Sequence, residues 1–241
     1  RSFLESPPEG FAEAFSALNA AIYAGDDEAL SDVSERFAAW TDGEWAPVAH
    51  YCRAVAAWQR IGRAERPAQL MLLNAAVGHL DEAIELRDDY ADAHALKARI
   101  FPLYHRLDPQ RAAVIGPLSG EHLALAEVHA PENPRVVAAR GMSLFYQPAE
   151  HGGDKNRGLE KLRQALELFE NTQPAVEEAT VDPMSWGEAM VWSWYGGALL
   201  RLPEPDRDAA RQAFEKAVAL EPGFARARTQ LAELSGDAAD S

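Results

Sequence analysis

Apolar residues recur at intervals of three and four from about residue 8 to about residue 235 of this chain. That period gathers the apolar side chains of each segment on one face of a helix. No run alternates Val, Ile or Thr with polar residues, so the chain reads as all-α. Clusters of Gly, Pro and Asp divide the pattern into helices that come in pairs. The first pair is predicted over 8–24 and, after a turn at Gly25-Asp26-Asp27, onward to about Trp40, with Ala29, Val33 and Phe37 on one face. Residues 1–7 read as a loose lead-in. The second pair covers 45–61 and 67–86, and Tyr51, Ala54, Val55 and Trp58 are suited to its core. A third opens at Tyr90, places Ala98 and Phe101 inward, and is interrupted by Pro102 and by Gly116-Pro117. Its connection over 102–118 is therefore long, with room for a short extra helix. The fourth starts at Asn133-Pro134 and presents Val137, Arg140, Gly141 and Leu144; Asp154 is the predicted N-cap of its partner helix. A loop over 172–184 then leads through Trp186 to the fifth pair. A last helix over 223–234 covers the end, and 236–241 form an acidic tail.

A second regularity lies inside the pairs. Ala210, Phe214, Ala217 and Pro222 are spaced four, three and five apart, and Ser119, Leu123, Ala126 and Pro131 repeat the spacing. Ala76, Leu80 and Ala83 repeat its first part, as do Gly158, Leu162 and Ala165. Small residues let two helices approach, and the large residue between them fills the seam. On the preceding helix, Trp192, Tyr195, Gly196 and Leu199 supply the other side. Together these residues resemble the tetratricopeptide repeat (TPR), with its W-x2-L-G-x2-Y and A-x3-F-x2-A-x4-P spacings, Tyr and Leu being exchanged here. The resemblance implies a right-handed α-solenoid of about five hairpins plus a C-terminal capping helix, continuous over 8–235. It further implies a concave face, lined by the first helix of each pair, that holds a protein or peptide partner without catalysis. Carried over position by position, that groove contains Arg99, Arg135, Met142, Phe145, Met190 and Ser193, with Tyr146 and Trp194 at its margins. Trp194 is the candidate anchor, since it lies about 100° around the helix from the seam residue Tyr195. The carboxylate clamp of the chaperone-binding TPRs is missing, because Cys52, Ala95, Ala138 and Ser193 occupy its positions. Asn133-Pro134-Arg135, Gly152-Gly153-Asp154 and Trp186-Gly187 also resemble bacterial envelope TPR proteins, including the component associated with TRAP transporters. That similarity implies an alternative, a small apolar ligand bound in partnership with an envelope transport system. It points to the periplasm or cell envelope ahead of the cytoplasm, and a homo-oligomer is compatible with it.

Charge narrows the partners. Lys and Arg number 23 against 38 Asp and Glu, a net charge of −15, which disfavours nucleic acid and anionic membrane surfaces. No apolar run approaches the roughly 18 residues that a membrane-spanning helix needs, so no direct membrane insertion is expected. A hydrophobic content of 47% is that of a globular chain. The chain begins at Arg1 rather than Met, which leaves room for a removed leader or a truncated tag.

Candidate chemistry is sparse. Seven histidines are scattered, without an H-E-x-x-H or paired-cysteine spacing, so neither a metal nor another cofactor is expected. Glu121-His122 and His129 share a helix face and read as surface or seam residues. The single cysteine, Cys52, has Ala49, Val55 and Ala56 at helical spacing and reads as core. The turn His151-Gly152-Gly153-Asp154-Lys155 could offer amide groups to an anion, but it lacks the phosphate-loop spacing. His151, Asp154 and Lys155 are therefore a weak rim site, and no enzymatic activity is expected.

Overall fold

The computed structural model describes residues 7–171 and 187–236, and the regular elements among them are all helices. The chain divides into two compact units, Arg1–Pro131 and Glu132–Ser241. The first unit contains α1 (Phe11–Ala24), α2 (Asp27–Phe37), α3 (Ala46–Ile61), α4 (Arg66–Leu86) and α5 (Ala91–Ile100), followed by α6 (Tyr104–Leu107), α7 (Pro109–Ile115) and α8 (Leu118–His129). The second contains α9 (Pro134–Tyr146), α10 (Lys155–Asn171), α11 (Glu188–Leu199), α12 (Arg207–Leu220) and α13 (Ala225–Gly236). The predicted loop over 172–184, Trp186 and most of the lead-in and tail lie outside the described residues.

The helices pair as the spacing predicts. In the first unit α1 packs on α2, α3 on α4 and α5 on α8. In the second, α9 packs on α10 and α11 on α12, and α13 covers α12. Ala76, Leu80, Ala83, Ala126, Leu162, Ala165, Ala210 and Ala217 are wholly buried, and Leu123 and Phe214 nearly so. At the third pair the two small residues meet through a hydrogen bond, the Ser119 hydroxyl donating to the Ala98 carbonyl at 2.8 Å.

Start signals follow simple chemistry. Asp26, Asn133 and Asp206 accept hydrogen bonds from amides in the first turns of α2, α9 and α12, replacing partners that a helix start lacks. Helix α1 begins at Phe11 rather than at Pro8, because Gly10 adopts φ +79°, outside the helical region. The ring of Phe11 then sits 5.2 Å from Phe37 and 4.8 Å from Trp45, fixing the N-terminal pair on α3.

The long connection holds more than one short helix: a 3-10 turn over Phe101–Leu103, then α6 and α7. It is anchored by Tyr104, which is fully buried and donates to the Asn74 side chain of α4 at 2.7 Å. Arg111 donates to the same oxygen at 2.8 Å and lies 4.9 Å from the centre of the Tyr104 ring.

Helices α9 and α10 approach closely at Gly141 and Gly158. A methyl group on Gly158 would lie 2.8 Å from both the Cβ and the backbone nitrogen of Phe145, which cannot move without moving α9. Gly158→Ala should therefore lower stability by about 2 kcal/mol, or roughly 5 °C in Tm, despite the better helix propensity of Ala. Gly78, midway along α4, has nothing within 4 Å of the same position. Gly78→Ala should instead raise stability by about 0.5–1 kcal/mol. Thermal unfolding followed by circular dichroism checks both signs.

Candidate functional site

The proposed groove residues fall in different environments. Arg99, on α5 of the first unit, is half-buried with its guanidinium 5.3 Å from the centre of the Trp58 ring. The others belong to the second unit. Phe145 is inside the core, packed with Val137, Leu162, Leu166 and Phe169, and Met142 and Trp194 lie partly buried against that cluster. Met190 and Ser193 are buried as well. Tyr146 is exposed, its ring edge-on to Phe145 at 5.0 Å. Arg135, in the first turn of α9, is half-buried with its methylenes alongside Gly187. Three of these side chains thus serve the core, because Phe145, Met190 and Ser193 face their own helical neighbours. Met142, Trp194 and Tyr146 keep accessible surface.

The Gly-rich turn uses its own amides. Gly152 and Gly153 donate to the carbonyls of Ala149 and Pro148, and Asp154 donates to that of Leu144, all at 2.8–3.0 Å. Asp154 caps α10 by accepting from the Arg157 amide at 3.0 Å, the role its position predicts. Lys155 donates to the Arg201 carbonyl at 2.9 Å and stands 5.5 Å from the centre of the Phe145 ring. His151 is exposed. With the three amides committed to the turn, an anion would have to displace internal hydrogen bonds.

The first unit holds a feature that spacing alone does not single out. Histidines meet across two successive seams, His50 of α3 against His79 of α4, and His94 of α5 against His122 of α8. Their Nδ1 atoms approach to 3.4 Å and 2.8 Å respectively. His79 and His122 stand directly before Leu80 and Leu123, the large seam residues, so they occupy equivalent places in their hairpins. The sequence signal was this repetition, with Arg53 and Lys97 each three residues after the first histidine.

Both seams disfavour protonation of their imidazoles. Desolvation, followed by the Arg53 and His50 charges, pushes His79 down to about 4. Desolvation, followed by Lys97 and His94, likewise pushes His122 down to about 4. His50 and His94 are lowered too, again chiefly by burial. Lys97 is itself buried and paired with Asp81 of α4. The thiol of Cys52 is buried and pushed up by desolvation, consistent with a core residue. Among the described residues no three His, Cys, Asp or Glu side chains converge to hold a bare metal ion.

The seam histidines set a pH dependence. Their folded-state values lie below the ordinary 6.5, so the unfolded chain binds protons first as pH falls. Their contribution to stability is full above about pH 6.5, declines towards pH 4 and then levels off. With partial exposure discounted, the loss should not exceed about 2 kcal/mol for His79 and His122 together. Urea denaturation at pH 7.5 and pH 4.5 should show a larger drop in midpoint for the wild type than for a His79→Gln, His122→Gln variant.

No protein-family profile and no curated protein matches the chain. Among solved structures, it is similar to the HusA haemophore from Porphyromonas gingivalis, with a TM-score of 0.62 and 21% identity. The alignment covers 82% of this chain and 98% of that one. At that identity the likeness concerns the fold. It corrects the reading of the chain as a scaffold for a protein or peptide partner, because the matching helical architecture belongs to a protein named for carrying a small ligand.

Proposed function

We propose that this chain is a non-enzymatic binder of a small, largely apolar ligand, with metalloporphyrins as the first class to test. The observation that carries the reading is the correspondence of its helices with nearly the whole of a haemophore. Three further features support it. Accessible apolar side chains occur in both units, among them Leu118 and Leu125 in the first and Met142 and Trp194 in the second. The net charge of −15 disfavours nucleic acid as the partner. No described helix is long and apolar enough to cross a membrane, so a lipid-spanning role has no support.

The hairpins are of the TPR kind in this reading, with small-large-small seams serving as the frame for a ligand site. Association with an envelope transport system is the cellular setting that the TPR resemblance suggests.

Titration of the full chain with ferric protoporphyrin and, separately, with metal-free protoporphyrin tests the proposal. Quenching of its tryptophan fluorescence and the porphyrin absorption band should report saturable binding, in the micromolar range or tighter. Non-saturable partitioning of both porphyrins, indistinguishable from that onto a control protein, would refute it.

A further inference from the structure

We propose that His122 binds iron end-on through Nε2 when the iron is carried in a flat macrocycle, and that His94 orients its ring. The inference rests on the small-ligand reading above and specifies the metal contact.

The hydrogen bonds assign the tautomers. His94 Nε2 lies 3.0 Å from the Asp88 carbonyl, which can only accept, so that nitrogen carries the proton. The Nδ1 of His94 is therefore the acceptor, and His122 Nδ1–H donates to it across 2.8 Å. That leaves a lone pair on His122 Nε2, which makes no hydrogen bond to a described residue. A ligating histidine ordinarily has its other ring nitrogen held in this way, which fixes both tautomer and ring direction.

The surroundings agree with the assignment. The ring stands edge-on to Phe101 at 5.6 Å. On α8, Leu118 lies four residues before His122 and Leu125 three residues after, so both border it on one helix face. Both leucines are exposed, at 37% and 42%. Apolar side chains around a single nitrogen donor suit the face of a macrocycle. They suit a bare ion poorly, since no set of three side-chain ligands occurs here, whereas a macrocycle brings its own in-plane nitrogens. The corresponding pair His50–His79 has a looser contact of 3.4 Å.

The full chain and four variants, His122→Gln, His122→Ala, His94→Ala and His129→Gln, are titrated with ferric protoporphyrin and with the metal-free macrocycle. For the wild type, the iron form should show the absorption and electron paramagnetic resonance signature of nitrogen ligation. Both His122 variants should lose that signature and bind the iron form at least about tenfold more weakly. Their unchanged binding of the metal-free macrocycle would show that the fold persists. His94→Ala should retain binding with a mixed spectral signature, and His129→Gln should match the wild type. If both macrocycles bind but the iron signature survives in both His122 variants, or is lost with His129 instead, the ligand assignment is overturned and the small-ligand reading stands. If neither macrocycle binds the wild type, the small-ligand reading falls and the assignment falls with it.

Discussion

The close approach of paired helices is the constraint on which the rest of the structure depends. At Gly141 and Gly158 the backbones of α9 and α10 leave no space for a methyl group, and at Gly196 the Phe214 ring occupies the space that a side chain would need. Two helices this close exclude water from the seam, and dispersion contacts accumulate along their full length. Alanine and serine serve the same purpose in the first unit, where Ala76, Ala98 and Ser119 sit at the corresponding positions. A hairpin built on small residues has narrow tolerance. Any polar group caught in the seam must find its partner there.

That requirement explains the seam histidines. An imidazole on the second helix of a pair cannot reach bulk water on its inward side, so it bonds to an imidazole on the first. His94 in turn donates to the backbone, at the Asp88 carbonyl. In the second seam the chain of donors therefore starts at His122 and ends at the Asp88 carbonyl, leaving the other ring nitrogen of His122 with its lone pair. A neighbouring cation, Arg53 or Lys97, disfavours protonation of the pair. Packing and electrostatics thus combine to disfavour protonation of the seam histidines in a strongly acidic protein.

The second unit shows the complementary lesson about aromatic residues. Trp194 and Phe145 share a cluster, yet the ring of Phe145 is inside it and Trp194 lies at its edge. Phe145 sits opposite Gly158, where the absence of a side chain draws α9 and α10 together and closes over the ring. Lys155 spans the cluster to the Arg201 carbonyl and covers the same ring from another direction. A repeat-family groove position therefore need not be open surface. Its exposure depends on the size of the residue facing it.

Much of the fold was legible in the sequence because helix period, helix caps and small-large-small seams are local properties. The cap at Asp154, the helix start at Asn133-Pro134 and the seams at Leu80, Leu123, Leu162 and Phe214 required only neighbours within a few residues. Gly10 was the local signal that was missed, since a glycine in a left-handed conformation overrides the proline before it. The candidate site was much less legible. Spacing could place His122 and His129 on one face of a helix, but His94 reaches His122 from another helix, with the whole 102–118 connection between them. The division into two units, the anchoring of that connection by Tyr104 on Asn74, and the burial of Phe145, Met190 and Ser193 were likewise decided only by tertiary structure. The physical reason is common to all of them: sequence fixes which face a side chain occupies on its own helix, whereas the protons and solvent around it are set by the helix packed against that face.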